Sequence, residues 1–196
     1  GEHLGFSNED YKKEGCEIEE KKSVLEKSDI ILQLNLPEES SLSFIKEKKL
    51  LIGVFNPYKN NEKLISLSKK NINIFSLELL PRITRAQSMD ILSSQANLAG
   101  YKAVIESFAY FEKAVPMMMT AAGTIAPAKI FIMGVGVAGL QAIATARRLG
   151  GIVTATDVRP ATKEQVVSLG AKFIAVEDEE FKAAETSAGY AKEMSK

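Results

Sequence analysis

The chain has 196 residues, of which 45% are hydrophobic and 26% are charged, and this composition is typical of globular domains with buried cores. Basic and acidic residues number 25 each, so no net charge favours binding to nucleic acid or to an anionic membrane. The single cysteine, Cys16, and the single histidine, His3, argue against an intrachain disulfide, a metal site and catalysis by histidine.

Short apolar runs at residues 28–36, 50–55 and 71–77 predict three strands, and an amphipathic helix is predicted over 61–70. Strands that alternate with helices predict a parallel sheet. Residues 1–81 are therefore expected to form a small Rossmann-like α/β domain that is truncated at its start.

The next segment, residues 82–118, is expected to be a loop and a helix that links two domains. After Pro81, the spacing of Thr84 and Gln87 is typical of a capping box, which would open a long helix running to about Lys113. On that helix Gln87, Asp90 and Ser94 would share one face. Two interpretations stay open: these polar groups gather at a binding site, or Gln87 and Asp90 only stabilise the first helical turn.

The most apolar stretch, residues 114–146, is divided by Lys129, by prolines at 116 and 127 and by glycines at 134, 136 and 139, so buried strands and helices are expected there and not a membrane span. After a loop holding Pro116, Gly123 and Pro127, a βαβ unit is predicted with a strand at 128–133, a helix at 138–149 and a strand at 152–156. A helix at 162–169, a strand at 172–176 and a solvated acidic loop at 177–180 follow.

The predicted fold class is thus α/β, with two Rossmann-like domains that contain parallel sheets and are joined by a long helix. Residues 119–196 would be the second domain, truncated at its end because the sheet is too short for a whole nucleotide-binding domain. We therefore expect the chain to be a fragment.

A glycine-rich motif lies between the first strand and the first helix of the second domain. Gly134 would make the tight turn, Gly136 would let a pyrophosphate approach, and Gly139 would allow close packing of the helix on the strand. Asp157 follows Gly139 by 18 residues, where a carboxylate accepts hydrogen bonds from the adenosine ribose. The motif in this context predicts NAD(H) binding, and the alternative is a tight turn without a ligand.

The choice between NAD and NADP depends on two residues. A carboxylate at Asp157 would repel a 2′-phosphate and so favours NAD. Arg159 could instead accept a 2′-phosphate, but beside Asp157 it is also compatible with a place next to the adenosine or on the surface.

Several motifs in order resemble the NAD(H)-binding domain of the α-subunit of proton-translocating NAD(P) transhydrogenase, over nearly the whole chain. They are Pro-Arg-Ile-Thr-Arg-Ala-Gln-Ser-Met-Asp (81–90), Asn-Leu-Ala-Gly-Tyr (97–101), Thr-Ala-Ala-Gly-Thr (120–124), Gly-Val-Gly-Val-Ala-Gly-Leu-Gln-Ala (134–142) and Ala-Thr-Asp-Val-Arg (155–159).

The resemblance implies a set of cofactor contacts and a reaction. Near the nicotinamide it implies Arg82, Gln87, Asp90 and Ser93, and along the rest of the nucleotide Val137, Asp157, Val158 and Arg159. It implies direct hydride transfer between NAD(H) bound here and NADP(H) on a partner domain, coupled to proton movement through a membrane domain. Arg82, Gln87 and Asp90 would orient the ring without exchanging protons.

Further expectations from the resemblance concern assembly and location. A homodimer is expected, held at the cytoplasmic or matrix-like face of the inner membrane through its partner domains, with no membrane insertion of this segment.

Two other functions stay open. Alanine dehydrogenase shares the fold, but the places where that family has a lysine and a histidine are occupied by Gln33-Leu34-Asn35-Leu36-Pro37 and Val54-Phe55-Asn56-Pro57. Oxidative deamination needs a group that takes a proton, so these sequences argue against it. A non-catalytic NAD-sensing module would need no polar segment such as residues 82–90.

Overall fold

The computed structural model describes residues 1–81, 83–182 and 184. The chain divides between Asp90 and Ile91 into two compact units. Each unit contains a three-stranded parallel sheet, which confirms the predicted α/β class. No helix in these residues is long and apolar enough to cross a membrane.

The first unit is built on three strands that lie side by side in the order in which they follow along the chain. Its strands are β1 (Ile30–Gln33), β2 (Leu50–Gly53) and β3 (Asn73–Ser76), and its helices are α1 (Asn8–Lys13), α2 (Lys21–Lys27), α3 (Glu39–Leu42) and α4 (Asn61–Lys69), with 3-10 turns at Glu2–Leu4 and Leu77–Leu79. The three predicted strands and the helix over 61–70 are confirmed.

The core of this unit lies on one face of its sheet. Leu25 of α2 and Leu67 of α4 pack with Ile31 and Leu51 of the sheet, and all four are buried. Side chains alternate between the two faces of a strand, so the neighbours of these residues point the other way. On that other face Leu32 is 75% exposed.

A buried lysine ties α2 to the sheet. Lys49, just before β2, is 6% exposed, and its ammonium group donates to the carbonyl oxygens of Leu25, Glu26 and Ser28 at 2.9, 2.7 and 2.7 Å. The last carbonyl groups of a helix lack partners within the helix and carry partial negative charge. Lys49 therefore supplies both the hydrogen bonds and the positive charge that the end of α2 requires.

The second unit contains a three-stranded parallel sheet, whose strands also lie in chain order, and a separate hairpin. Its elements are α5 (Ile91–Tyr110), β4 (Met118–Thr120), β5 (Gly123–Ile125), β6 (Lys129–Met133), α6 (Val137–Arg148), β7 (Ile152–Thr156), α7 (Thr162–Ser168), β8 (Lys172–Phe173) and α8 (Glu179–Lys182). The predicted βαβ unit and the following helix and strand are confirmed, although β8 is shorter than the predicted strand.

The long helix α5 packs closely on α6 within this unit. A Cβ atom at Gly100 would lie 2.1 Å from the carbonyl oxygen of Ala138, so the two helix backbones almost touch there. Val104, one turn further along α5, is buried in the same core as Ile143 of α6 and Val153 of β7. The glycine in the motif at 97–101 therefore has a packing role.

The predicted start of the long helix is wrong. Thr84–Met89 is a 3-10 helix that follows Ile83 without a side-chain cap, so the expected capping box of Thr84 and Gln87 does not form. Asp90 has a non-helical ψ of 84°, so it separates this 3-10 helix from α5, which runs from Ile91 to Tyr110. Because one helix does not run through residues 84–94, Gln87, Asp90 and Ser94 do not share a helical face.

Two further expectations are corrected. The predicted loop at Gly123 contains the hairpin β4–β5, in which every strand residue is exposed, so no alternation of apolar residues marks it. The acidic segment 177–180 is only partly a loop because α8 begins at Glu179, and the Asp178 carboxylate accepts from the Phe181 N–H at 2.8 Å at the start of α8.

Candidate nucleotide-binding site

The glycine-rich loop has the geometry expected from its motif. Gly134 has a φ of 89°, which L-residues rarely adopt, and so turns the chain sharply after β6. A Cβ atom at Gly139 would lie 1.9 Å from the carbonyl oxygen of Gly134, so α6 packs directly on the turn. A Cβ atom at Gly136 would meet nothing within 4 Å. The loop therefore leaves open space beside Gly136, at the N-terminus of α6.

The start of α6 can accept an anion. Gly136 is the N-cap residue in extended conformation and provides no side-chain cap, and Val137, the first helical residue, is 40% exposed. The first N–H groups of a helix have no partner within the helix and carry partial positive charge. A phosphate group placed in the space beside Gly136 would satisfy both.

Asp157 follows β7 and contacts the same loop. One carboxylate oxygen, Oδ2, accepts from the Val135 N–H at 2.7 Å, between the first two glycines of the motif. The other, Oδ1, accepts from the N–H and the Nε of Arg159, both at 2.9 Å. The acidic residue and the glycine loop are thus brought together, as the motif predicts.

The electrostatics of this cluster keep Asp157 charged. Burial raises the pKa of the carboxyl, but the hydrogen bonds from the Arg159 side chain, the Val135 N–H and the Arg159 N–H, together with the charge of Arg159, outweigh it. The pKa of Asp157 is therefore held below its usual range. At neutral pH the site presents a carboxylate that can only accept hydrogen bonds.

A cleft of about 410 Å³ lies at the carboxyl ends of the three parallel strands. Its lining consists of Met133, Gly134, Thr156, Asp157, Val158, Ala175, Val176, Asp178 and Phe181. Parallel α/β sheets bind ligands at this edge. The sequence motifs do not indicate a role for Val135, Val176 or Phe181, although Val176 is the last residue of the strand predicted at 172–176.

The residues expected near the nicotinamide fall in two different units. Arg82 lies outside the described residues. Gln87 is exposed and Asp90 half-buried in the first unit, whereas Ser93 is half-buried in α5 of the second unit. Ser94, which the sequence predicts to share a helical face with Gln87 and Asp90, is exposed, and its hydroxyl donates to the Ile91 carbonyl at 3.1 Å.

The residues of the second unit fit a dinucleotide. Space beside Gly136 suits a pyrophosphate, the Asp157 carboxylate suits ribose hydroxyls, and the cleft beyond it has an apolar wall that includes Val158 and Val176. The cleft and Asp157 lie at the same edge of one sheet, and Asp157 is bonded to the glycine loop there.

Comparison with known proteins identifies the family. The model for "Alanine dehydrogenase/PNT, N-terminal domain" matches residues 1–99. The chain belongs to this family. The model for the C-terminal domain of the same family matches residues 103–194.

Two relatives are named transhydrogenases. An NAD(P) transhydrogenase subunit alpha polypeptide of Rhodospirillum rubrum is 55% identical over 175 residues, which cover 87% of this chain and 46% of the relative. The crystal structure of transhydrogenase from Sinorhizobium meliloti is 53% identical, with a TM-score of 0.84, over 91% of this chain and 51% of that one. The chain thus spans about half the length of these relatives, and the resemblance found in the sequence is confirmed.

Alanine dehydrogenase is a more distant relative. Alanine dehydrogenase 2 of Staphylococcus aureus is 27% identical over 170 residues, which cover 84% of this chain and 44% of the relative. At the place where the resemblance leads us to expect the histidine of that family, this chain has Asn56. Its backbone is left-handed, with a φ of 48°, and its N–H donates to the Glu78 carboxylate.

Proposed function

We propose that this chain is the NAD(H)-binding part of a proton-translocating NAD(P) transhydrogenase. The observation that carries the proposal is the hydrogen bond from the Val135 N–H to the Asp157 carboxylate, which joins the glycine loop to the ribose-binding acid in one site. The relatives named transhydrogenase supply the reaction.

In this proposal the second unit binds the adenosine and pyrophosphate of NAD(H). Gly134, Gly136, Val137 and Gly139 form the pyrophosphate site at the start of α6, and Asp157, Val158 and Arg159 contact the adenosine. The preference for NAD over NADP rests on the ionised Asp157, since its negative charge would repel the 2′-phosphate that NADP carries on this ribose.

The nicotinamide end of NAD(H) is assigned to Arg82, Gln87, Asp90 and Ser93. Gln87 is exposed, so its amide is accessible to a ligand. A reduced nicotinamide held by these residues would supply a hydride, with both electrons of its C4–H bond, to the NADP⁺ ring of the partner.

No proton is exchanged with solvent in that step, so the chain needs no general base. Its residues act by holding the ring in the orientation that transfer requires, and orientation by itself can supply a large part of a rate enhancement.

The proposal includes the assembly around the chain. NADP(H) would bind to a partner domain, a membrane domain would conduct protons, and two copies of the chain would form a homodimer. The chain would lie at the cytoplasmic or matrix-like face of the inner membrane through these partners.

The experiment uses the full-length protein that contains this chain, mixed with a transhydrogenase NADP(H)-binding domain. Hydride transfer from NADH to an NADP analogue is followed in the wild type, in Gln87→Asn, and in Gln95→Asn as a control at an exposed glutamine of α5. We expect Gln87→Asn to lower the transfer rate by about 100-fold, because a misplaced ring reacts slowly. Its affinity for 5′-ADP should stay within about twofold of the wild type, because 5′-ADP lacks the nicotinamide.

The outcomes separate the three functions. If NADH supports reductive amination of pyruvate and no transfer to the NADP analogue, the chain acts as an alanine dehydrogenase and the proposal is wrong. If NADH binds and neither reaction occurs, the chain acts as an NAD-sensing module.

A further inference from the structure

Arg159 and Asp157 close a hydrogen-bonded ring over the glycine loop. The guanidinium group donates from Nε to Oδ1 and from Nη2 to Oδ2 of Asp157, both at 2.9 Å. Nη2 also donates to the Val135 carbonyl oxygen at 3.2 Å, while the Val135 N–H donates to Asp157 Oδ2. Both polar groups of the Val135 peptide are therefore bonded to this pair.

The pair is largely shielded from solvent. The side chain of Asp157 is 7% exposed and that of Arg159 is 22% exposed. The Arg159 N–H also donates to Asp157, so the arginine is held through its backbone as well as its side chain. The guanidinium is thus fixed at the edge of the ribose-binding position.

The ring places a phosphate-binding group next to the position of the ribose. A guanidinium binds carboxylate and phosphate with the same planar fork of N–H donors. In this structure two arms of the fork, Nε and Nη2, donate to Asp157. The carboxylate and a phosphate on the ribose would therefore compete for the same donors.

From this geometry we propose that Arg159 determines nucleotide specificity. Its guanidinium is able to bind a 2′-phosphate, but Asp157 holds it in hydrogen bonds. Removing the charge of Asp157 then does more than abolish repulsion, because it releases a guanidinium able to bind the 2′-phosphate. The inference rests on the proposed NAD(H) site.

A simpler account holds that Asp157 alone excludes NADP through charge repulsion. The two accounts differ in the role of Arg159. If repulsion is the whole cause, a variant without the carboxylate accepts a 2′-phosphate equally well with or without Arg159. If Arg159 is released, the gain in affinity requires it.

The test is a double-mutant cycle in the full-length protein. The variants are Asp157→Asn, Arg159→Gln and the combination of both, with Arg148→Gln as a control that removes an exposed arginine at the far end of α6. Calorimetry measures the affinities for 5′-ADP and for adenosine 2′,5′-bisphosphate, which carry the adenosine without nicotinamide. Competition with NADH shows that each binds at the NAD(H) site, and circular dichroism shows that each variant is folded.

We expect Asp157→Asn to raise the affinity for adenosine 2′,5′-bisphosphate by roughly 30-fold relative to 5′-ADP, the gain typical of hydrogen bonds to a charged group. The double variant should lose most of that gain, and Asp157→Asn combined with Arg148→Gln should keep it. If Asp157→Asn does not fold, Asp157→Ser removes the same charge with a smaller side chain and carries the same expectation.

An equal gain in Asp157→Asn and in the double variant would overturn the inference and leave the proposed function standing. Failure of the wild type to bind 5′-ADP in competition with NADH would overturn the proposed site, and the inference with it.

Discussion

Substitution of Gly136 and of Gly139 by alanine separates the effect on ligand binding from the effect on folding, because the added methyl group has different neighbours at the two positions. At Gly139 a Cβ atom would lie 1.9 Å from the Gly134 carbonyl oxygen, where ordinary contact begins at 3.4 Å, so α6 must retreat by about 1.5 Å. The backbone fixes the position of the Cβ atom, and the carbonyl oxygen is itself a backbone atom, so neither can rotate away. Gly139→Ala should therefore lower the free energy of unfolding by about 3 kcal/mol.

At Gly136 the added Cβ atom meets nothing within 4 Å, and the φ of −82° and ψ of −165° suit alanine. Gly136→Ala should change the free energy of unfolding by less than about 1 kcal/mol. The methyl group occupies the space assigned to the pyrophosphate, and a crowding cost of about 1–3 kcal/mol corresponds to roughly a 10- to 100-fold weaker affinity for NADH.

Urea unfolding followed by circular dichroism and titration with NADH measure the two effects on the full-length protein. The expected pattern is loss of stability in Gly139→Ala and loss of affinity alone in Gly136→Ala. Unchanged NADH affinity in Gly136→Ala would refute the assignment of this space to the pyrophosphate. Equal destabilisation by the two substitutions would refute the distinction between them.

Three further predictions concern packing and charge. Lys49→Met should destabilise the first unit by about 3 kcal/mol, because three carbonyl groups lose a charged donor. The control Lys46→Met, at an exposed lysine, should cost less than about 0.5 kcal/mol. Hydrogen exchange of the amides at 25–33 measures the stability of the first unit in each variant. Gly100→Ala should cost about 3 kcal/mol in urea unfolding, because its Cβ atom would lie 2.1 Å from the Ala138 carbonyl oxygen, and a neutral effect would contradict the close approach of α5 and α6. The pKa of Asp157 is lowered from 3.8 in the folded chain, so its ionised form stabilises the fold above pH 3.8, and this contribution is lost as the pH falls through the lower pKa of the folded state. Asp157→Asn should therefore reduce the dependence of stability on pH only below about pH 4. Acid titration of the variant and of the wild type measures this.

The strands of both sheets were predictable because their apolar runs are bounded by polar residues and glycines, as in β2 and β7. The glycine loop was predictable for a different reason. Gly134 is required by its positive φ, and Gly139 is required by its close contact with the Gly134 backbone. The presence of glycine at these two positions is therefore enough to predict the turn.

Other elements leave weaker signals in the sequence. The 3-10 helix at Thr84–Met89 could not be distinguished from an α-helical turn, because both bring residues three apart together. Helix α1 buries no residue, and its stability comes from a local capping box between Ser7 and Asp10. The hydrogen bonds of the Val135 peptide to Asp157 and Arg159 were not predictable, since they depend on how the ends of two strands meet.

Those bonds link the two parts of the proposed nucleotide site. Val135 lies in the loop assigned to the pyrophosphate, and its N–H and carbonyl are held by the residues assigned to the adenosine. A ligand that draws Asp157 or Arg159 towards a ribose must therefore also act on the loop. The binding free energies of the adenosine and pyrophosphate portions, measured on separate small molecules, should consequently not add up to that of the whole dinucleotide.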